Sequence, residues 1–282
     1  MKLMIGSPSF GAPDPLFTSD SLAPLMYHIG RRHPEITEVV WARDTRTYRH
    51  HARQGLAEEF LARGMDYLLT LDDDQTFTPQ AFDILWEHNQ YPCVSGLYFT
   101  RTFPPVPCMF RYGKIGEGSQ PILTYPKDAL LEVEIVGFGF CLFQSEVFKK
   151  VPPPWFQAGS WLGEDVAFAA KCRACGIPFY VHTGCKVGHI YEQKQVITED
   201  TYEYYRAAVE AQERSKVGDI VGLGPSGAGN TAGQLAPLSR ADVDARVAAV
   251  LAEQAGRGGV GGWKQYPDGI APAPASAPAS DG

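Results

Sequence analysis

Three consecutive carboxylates, Asp72-Asp73-Asp74, follow the apolar run "DYLLTL", and their mutual repulsion is costly unless something answers the charge. Alternation along an extended backbone puts Asp72 and Asp74 on one side and points Asp73 to the other. Two carboxylates converging at a strand end form a hard-oxygen site suited to Mg²⁺ or Mn²⁺, the ions that neutralise diphosphates. The bland alternative is a solvated turn. Three further segments bear on the choice. Glu164 and Asp165, after Gly163, open a helix, where acids act as dipole partners or caps, or as a base that takes a proton from a hydroxyl. His189 in "KVGHI" follows a strand; its imidazole is either structural or completes a mixed oxygen and nitrogen site that suits Mn²⁺. Gly137 and Gly139 in "GFGF" either let the backbone approach a ligand closely or make a tight bend between packed strands, with Phe138 and Phe140 as a stacking or packing face.

Positioning these residues requires alternating strands and helices. "KLMIGSP" reads as a strand ending in a Ser/Pro/Gly loop, residues 21–32 as a helix, and "EVVWAR" as a second strand. In "RHHARQGLAEEFLARG", Ala52, Leu56, Phe60 and Leu61 share a helical face that Gly64 terminates. "MDYLLTL" is a buried strand feeding the acids, and "TPQAFDILWEHN" is a helix with Thr78 as its cap and Pro79 at its first position, followed by the strand "YPCVSGLYF". Such alternation implies a mainly parallel sheet covered on both faces, whose ligands bind at the carboxyl ends of the strands. The Pro/Gly-rich residues 102–128 include "FRYGKIGEGSQPI", a hairpin-like excursion; a strand, a Gly-rich turn and a short helix follow in "LLEVEIVGFGFCLFQSEVFKKV", and "PFYVHTGCKVGHIY" reads as a late strand pair. Residues 198–216 form a helix. The expected division is a catalytic domain over 1–216, a Gly-rich extension with one helix over 217–265, and a disordered Pro/Ala/Ser tail over 266–282.

The bulk properties narrow the function classes. With 282 residues the chain can bury a large core, and a formal charge of −7 argues against broad attraction to nucleic acid while leaving room for a local basic groove. No apolar run reaches the roughly 20 residues of a membrane span, so a soluble, cytoplasmic protein is expected. Six scattered cysteines suit a reduced protein. Cys172, Cys175 and Cys185, with His182 and His189 nearby, offer a structural zinc site, but "VAFAAKCRACG" reads better as an amphipathic helix ending at Gly176, and no second Cys-x-x-Cys pair is present.

Taken in order, "MIGSPSFG", "ARQGLAEEFL", "DYLLTLDDDQTFTP", "VSGLYFTR", "VGFGFCLFQSEVFKKV", "GEDVAFAAKCRACGIPFYV" and "VGHI" resemble the motifs of a GT-A fold glycosyltransferase, close to the family-2-like bacterial and phage enzymes, over roughly residues 3–190. The resemblance implies a Rossmann-like, mostly parallel mixed sheet flanked by helices, with a C-terminal helical extension. It implies a nucleotide-sugar donor, a UDP-sugar foremost, and a Mn²⁺ or Mg²⁺ ion. Asp74 would ligate the metal directly, Asp72 would meet the ribose or reach the metal through water, and His189 would be the third protein ligand. Pro8, Ser9, Arg53, Gly137 and Gly139 would line the nucleotide side together with Asp72 and Asp73, Asp73 being the most replaceable acid of the three. Asp165 would be the base of an inverting enzyme, with Glu164 as its competitor. Gln54 departs from the family pattern, which carries Asn after the Arg. Loss of Asp74 is expected to stop transfer without destabilising the fold, since it relieves repulsion.

The acceptor stays open among a glycan, a protein side chain, a small metabolite and a hydroxymethylated base of phage DNA, the last placing the protein in the host cytoplasm. Arg101, Arg111, Lys114 and Lys127 are the residues that would line a DNA groove, or else a solvated loop. A nucleotidyltransferase and a non-catalytic sugar-binding module are the alternatives. The missing Walker-type loop weakens the first and the intact acids weaken the second.

Overall fold

The computed structural model describes residues 1–45, 48–112, 119–157, 163–191 and 196–221, with side chains to 211. They belong to a unit spanning Met1–Ala236; a second, Pro237–Gly282, lies outside the described residues. So do the turn of the "GKIGEG" excursion, the "AGSWL" loop before Gly163, the helix expected from Arg240 and the Pro/Ala/Ser tail.

In chain order the strands are β1 (Lys2–Pro8), β2 (Glu38–Asp44), β3 (Tyr67–Leu71), β4 (Gln75–Thr76), β5 (Cys93–Leu97), β6 (Met109–Tyr112), β7 (Ser119–Pro121), β8 (Leu130–Val133), β9 (Ile135–Val136), β10 (Phe140–Gln144), β11 (Phe179–Lys186), β12 (Gly188–Ile190) and β13 (Val196–Ile197). The helices are α1 (Pro15–Phe17), which runs through a π turn at Thr18–Leu22 into α2 (Ala23–Arg32), then α3 (Arg49–Ala62), α4 (Gln80–Trp86), α5 (Ser145–Lys150), α6 (Glu164–Ala174) and α7 (Glu199–Val221).

Seven strands form the central sheet in the order β2-β1-β3-β10-β5-β11-β8. The strands β2, β1, β3, β5 and β11 run one way, while β10 is antiparallel to both β3 and β5, and β8 is antiparallel to β11. This is a mixed α/β architecture with a mostly parallel sheet flanked by helices, the arrangement that the GT-A resemblance implies. The two faces are built by strict alternation. Leu68, Cys141 and Phe143 point into a core that also holds Leu56 and Phe60 of α3, Phe148 of α5 and Phe168 of α6. Their neighbours Leu69, Leu71, Phe140 and Leu142 point into a second core, with Leu25 and Ile29 of α2 and Phe82 and Leu85 of α4. Burial on both faces is the reason these strands read as continuous apolar runs.

Local signals are mostly honoured. Ala52, Leu56 and Phe60 are buried along α3, whereas Leu61 is only partly so, and Gly64 closes the helix with φ +63°. Helix α4 begins one residue later than expected: Pro79 is its cap in helical geometry, and the Thr78 carbonyl accepts the Ala81 amide at 3.0 Å. The excursion's flanks do pair, β6 with β7, antiparallel. The late strand pair is corrected: β11 stays in the central sheet, whereas β12 leaves it to pair with β13 and β4. A side chain at Gly188 would fall on Thr76 and Val196, so only glycine lets β12 sit between those strands. Among the described residues no helix is long and apolar enough to cross a membrane.

Candidate active site

The carboxyl ends of β1 and β3 set the site. Strand β3 stops at Leu71, and the Asp72 amide bonds the Gly139 carbonyl at 2.9 Å, which turns the chain. Each acid then finds its own partner. Arg53 Nη2 donates to Asp72 Oδ1 at 2.6 Å, the Ser9 hydroxyl donates to Asp73 Oδ2 at 2.5 Å, and Arg101 Nη1 pairs with Asp74 Oδ2 at 2.9 Å. Asp73 is thus tied to the loop after β1, where Arg43 Nη2 also reaches Ser9 Oγ at 3.2 Å. Burial first, then the charges of Asp74 and Asp72, push the Asp73 carboxyl up against the pull of the Ser9 bond.

His189 reaches the triplet through the short ladder of β4 and β12. The register His189↔Gln75 and a 2.7 Å bond from the Ile190 amide to the Asp74 carbonyl set the imidazole beside the acid, His189 Nε2 standing 3.4 Å from Asp74 Oδ2. Its Nδ1 lies 2.8 Å from the Phe99 carbonyl, which can only accept, so Nδ1 carries a proton and Nε2 is the atom turned to Asp74, donating to it when the ring is doubly protonated and offering its lone pair to an ion when it is not. Asp74 Oδ1 is buried with no hydrogen-bond partner among the described residues. An orphaned carboxylate oxygen next to an imidazole of fixed tautomer is a donor set that fits a divalent ion. Asp72 does not converge with this pair as Arg53 holds it. Burial alone would raise the Asp74 pKa, but His189, Arg101 and Arg49 outweigh it and bring it down to about 2. The expectation that losing Asp74 is harmless to the fold assumed uncompensated repulsion, whereas Arg101 and His189 stand against this carboxylate.

Arg53, buried on α3, is the hub of the second half of the site. Besides Asp72 it donates to the Phe138 carbonyl at 3.1 Å and from Nε to Glu164 Oε1 at 3.3 Å. Glu164 is thereby occupied by a cation, whereas the hydrogen bond recorded to the Asp165 carboxylate comes from the adjacent Val166 amide at 2.8 Å. Asp165 is buried, and desolvation followed by the Glu164 charge raises its pKa to about 6, against the smaller pulls of Arg53 and Arg49. The geometry thus divides the Glu-Asp pair into an anchor for Arg53 and a carboxyl poised to exchange protons near neutrality. Burial and then the charges of Asp165, Asp72 and Asp74 raise the pKa of the buried Cys108 thiol.

At Gly137 and Gly139 packing alone leaves no room for a side chain, whatever else the backbone meets. A Cβ on Gly137 would fall on the Tyr98 hydroxyl and stand 2.9 Å from Tyr98 Cζ, and one on Gly139 would stand 2.8 Å from Gln75 Nε2. Phe138 packs edge to face on Phe143 and Phe168, and Phe140 tilts against Phe77, so neither ring presents a stacking face to a ligand. The Gly139 amide donates to the buried Tyr98 hydroxyl at 3.0 Å. Gly137→Ala is expected to cost about 1–3 kcal/mol by overpacking a rigid ring. Tyr98→Phe in the same chain should recover part of that cost, and urea denaturation of the two single variants and the double variant measures the coupling.

Other expected residues take different places. Pro8 ends β1 at the site's rim. Gln54 accepts from the Trp155 and Phe156 amides at 2.8 and 3.1 Å, so it fastens the loop after α5 instead of addressing a nucleotide. Of the groove cations, Arg101 is committed to Asp74, Lys127 pairs with Glu199 and Glu203, Arg111 is exposed on β6, and Lys114 lies outside the described residues. The Cys172 and Cys185 side chains belong to cores on opposite faces of the sheet, the latter donating to the Ala81 carbonyl at 3.2 Å, and His182 stacks on His88. The sequence reading missed Arg49, Tyr98 and Gln75. Arg49 lies one helical turn before Arg53 on α3, a spacing visible in the sequence, and the charges of Asp72, Glu164, Asp74 and Asp165 overcome desolvation to raise its pKa. Gln75 is fully buried, and neither polar atom of its amide finds a partner among the described residues.

No family model matches the chain, and no curated protein matches it. Solved structures do. The crystal structure of A197 from STIV matches with a TM-score of 0.52 and 21% identity, over 71% of this chain and 92% of that one. The crystal structure of GalNAc-T7 with UDP, GalNAc and Mn²⁺ matches with a TM-score of 0.46 and 14% identity, over 68% of this chain and 44% of that one. The first likeness shows a shared fold.

Proposed function

We propose that the chain is a divalent-metal-dependent glycosyltransferase that moves a sugar from a nucleotide-sugar donor, a UDP-sugar by its resemblance, to an acceptor hydroxyl with inversion. The observation that carries the reading is the buried Asp74 Oδ1, unpartnered among the described residues, beside the oriented Nε2 of His189, at the carboxyl edge of the sheet. Asp74 and His189 would hold Mn²⁺ or Mg²⁺, with Asp72 near the ion or the ribose. The ion's chemistry there is to neutralise the departing diphosphate. The chain's own residues do the rest. The Asp165 carboxylate takes the acceptor proton as the new bond from oxygen to the anomeric carbon forms and the bond to the diphosphate breaks, the negative charge leaving with the nucleotide. Arg53 fixes Asp72 and Glu164, so the nucleotide side and the base side keep one spacing. Arg49 and Arg101 add positive charge where the phosphates would lie.

The test supplies Mn²⁺ and a panel of UDP-sugars and follows UDP release together with the thermal shift. Turnover with one sugar and a metal-dependent rise in Tm are expected. No turnover with any nucleotide sugar and no metal-dependent shift would overturn the reading. Adding hydroxymethylcytosine DNA and reading nucleoside masses tests the DNA acceptor, which has lost the support of Arg101 and Lys127; an unshifted mass moves the acceptor to a glycan.

A further inference from the structure

A second cluster of ligand atoms stands at the opposite edge of the sheet. His28 on α2, His33 just past that helix and Asp83 on α4 form the group of three whose ligand atoms all lie within 4.8 Å of one another among the described residues. Asp83 Oδ1 lies 2.8 Å from His28 Nε2 and 2.8 Å from His33 Nε2, and Asp83 Oδ2 lies 3.0 Å from His28 Nε2. The cluster adjoins the start of β1, since the Ile36 amide bonds the His33 carbonyl and the Thr37 amide bonds the Met1 carbonyl. The acids lie beyond the far end of that strand, and seven residues at about 3.3 Å each put the two sites about 20 Å apart.

We infer that His28, His33 and Asp83 form a second divalent-metal site, for a borderline ion of the Zn²⁺ class, which ties the end of α2 to α4. Two imidazole nitrogens and one carboxylate oxygen are the donors that such ions prefer, whereas Mg²⁺ and Ca²⁺ take oxygen. The spacing is close to what an ion needs: nitrogen and oxygen on neighbouring positions of a tetrahedral ion, each at about 2.1 Å, lie about 3.4 Å apart, so the donors at 2.8 Å need part by only about half an ångström. The surroundings are also those of a metal site. Glu35 Oε1 receives His33 Nδ1 at 3.1 Å and is itself held by Trp86 Nε1 at 2.6 Å, a carboxylate behind the imidazole that fixes both ring orientation and tautomer. His33 lies edge-on to Phe82 and Trp86, with ring centroids 5.2 and 6.0 Å away. The His28 and His33 side chains are only 13% and 11% exposed while Asp83 is 34% exposed, so the rings are held and the carboxylate side stays open to solvent. Any proton that an Nε2 atom shares with Asp83 in the metal-free form is replaced by the ion and passes to solvent. The rival is an ion-paired cluster that binds nothing.

The test uses the full chain carrying Asp74→Asn, so that failure here leaves the catalytic reading untouched, with Co²⁺ alone as the probe. One equivalent of Co²⁺ should bind with visible ligand-field absorption, no sulfur-to-cobalt charge transfer and a higher Tm. His28→Gln should weaken binding by about 10-fold or more, and Glu35→Gln by about 10-fold through the loss of ring orientation. His28 borders the cluster without filling the core, and Asp83→Asn preserves shape, so a folded variant is at hand for either ligand. A chain that takes up no Co²⁺, a charge-transfer band from cysteine, or undiminished affinity in both His28→Gln and Asp83→Asn would overturn the site and leave an ion-paired cluster.

Discussion

Asp74→Asn is expected to lower sugar transfer by about 10³-fold or more and, in the metal-free protein, to cost roughly 2 kcal/mol of stability at pH 7. The first effect follows from the proposed role of Asp74, whose carboxylate stands beside His189 and would ligate the ion. The second follows from linkage. With a folded pKa of about 2 against 3.8 for a free Asp side chain, ionised Asp74 contributes stability that is fully present above about pH 4 and is lost as the pH falls through 2. Urea denaturation of parent and variant should therefore show a gap at pH 7 that closes toward pH 2. Equal stabilities at pH 7 would mean that Arg101 and His189 do not hold this carboxylate.

Asp165→Asn should move activity and stability in opposite directions. Turnover should fall by about 10²–10⁴-fold with donor affinity little changed, since the residue acts on the acceptor proton. Stability should rise by roughly 3 kcal/mol above pH 6. A buried carboxyl whose folded pKa of about 6 exceeds the 3.8 of a free Asp side chain keeps its proton longer in the folded state, so the parent loses stability as the pH rises from about 4 through 6. Asparagine carries no charge and escapes that loss. In the parent, turnover should climb with pH through about 6 as the base ionises. A variant that is less stable at pH 8, with donor affinity and turnover reduced together, would make Asp165 a structural cap.

Much of this was legible because it is local. The strand feeding the triplet, the glycine closing α3, the helix opened by Glu164 and the position of the acids at a strand end all follow from patterns a few residues long. What was not legible depends on chain segments far apart. His189 meets Asp74 only because a two-residue strand after the triplet pairs with β12, and β4 is too short to announce itself by periodicity. The glycines at 137 and 139 could be read for a ligand or for packing, and only the position of Tyr98, some forty residues earlier, shows that packing suffices. The charge on the triplet was read as needing an external cation, whereas Arg53, Ser9 and Arg101 already answer much of it from three other segments. Arg49 was the missed opportunity, since its spacing from Arg53 is plain in the sequence.

The antiparallel strand at the centre of the sheet also has a bearing on the order of folding. Strand β10 joins residues 140–144 to residues 67–71, and the neutralising contacts of the triplet come from residues 9, 53, 101 and 189. Such long sequence separations slow the search for the native state. During synthesis the emerging chain carries three adjacent acids for more than a hundred residues before His189 appears, so the pairing of Asp74 with His189, and with it the proposed metal site, is expected late in assembly. A divalent ion added to the refolding chain should then slow unfolding and leave the folding rate nearly unchanged, because the transition state precedes the site that binds it.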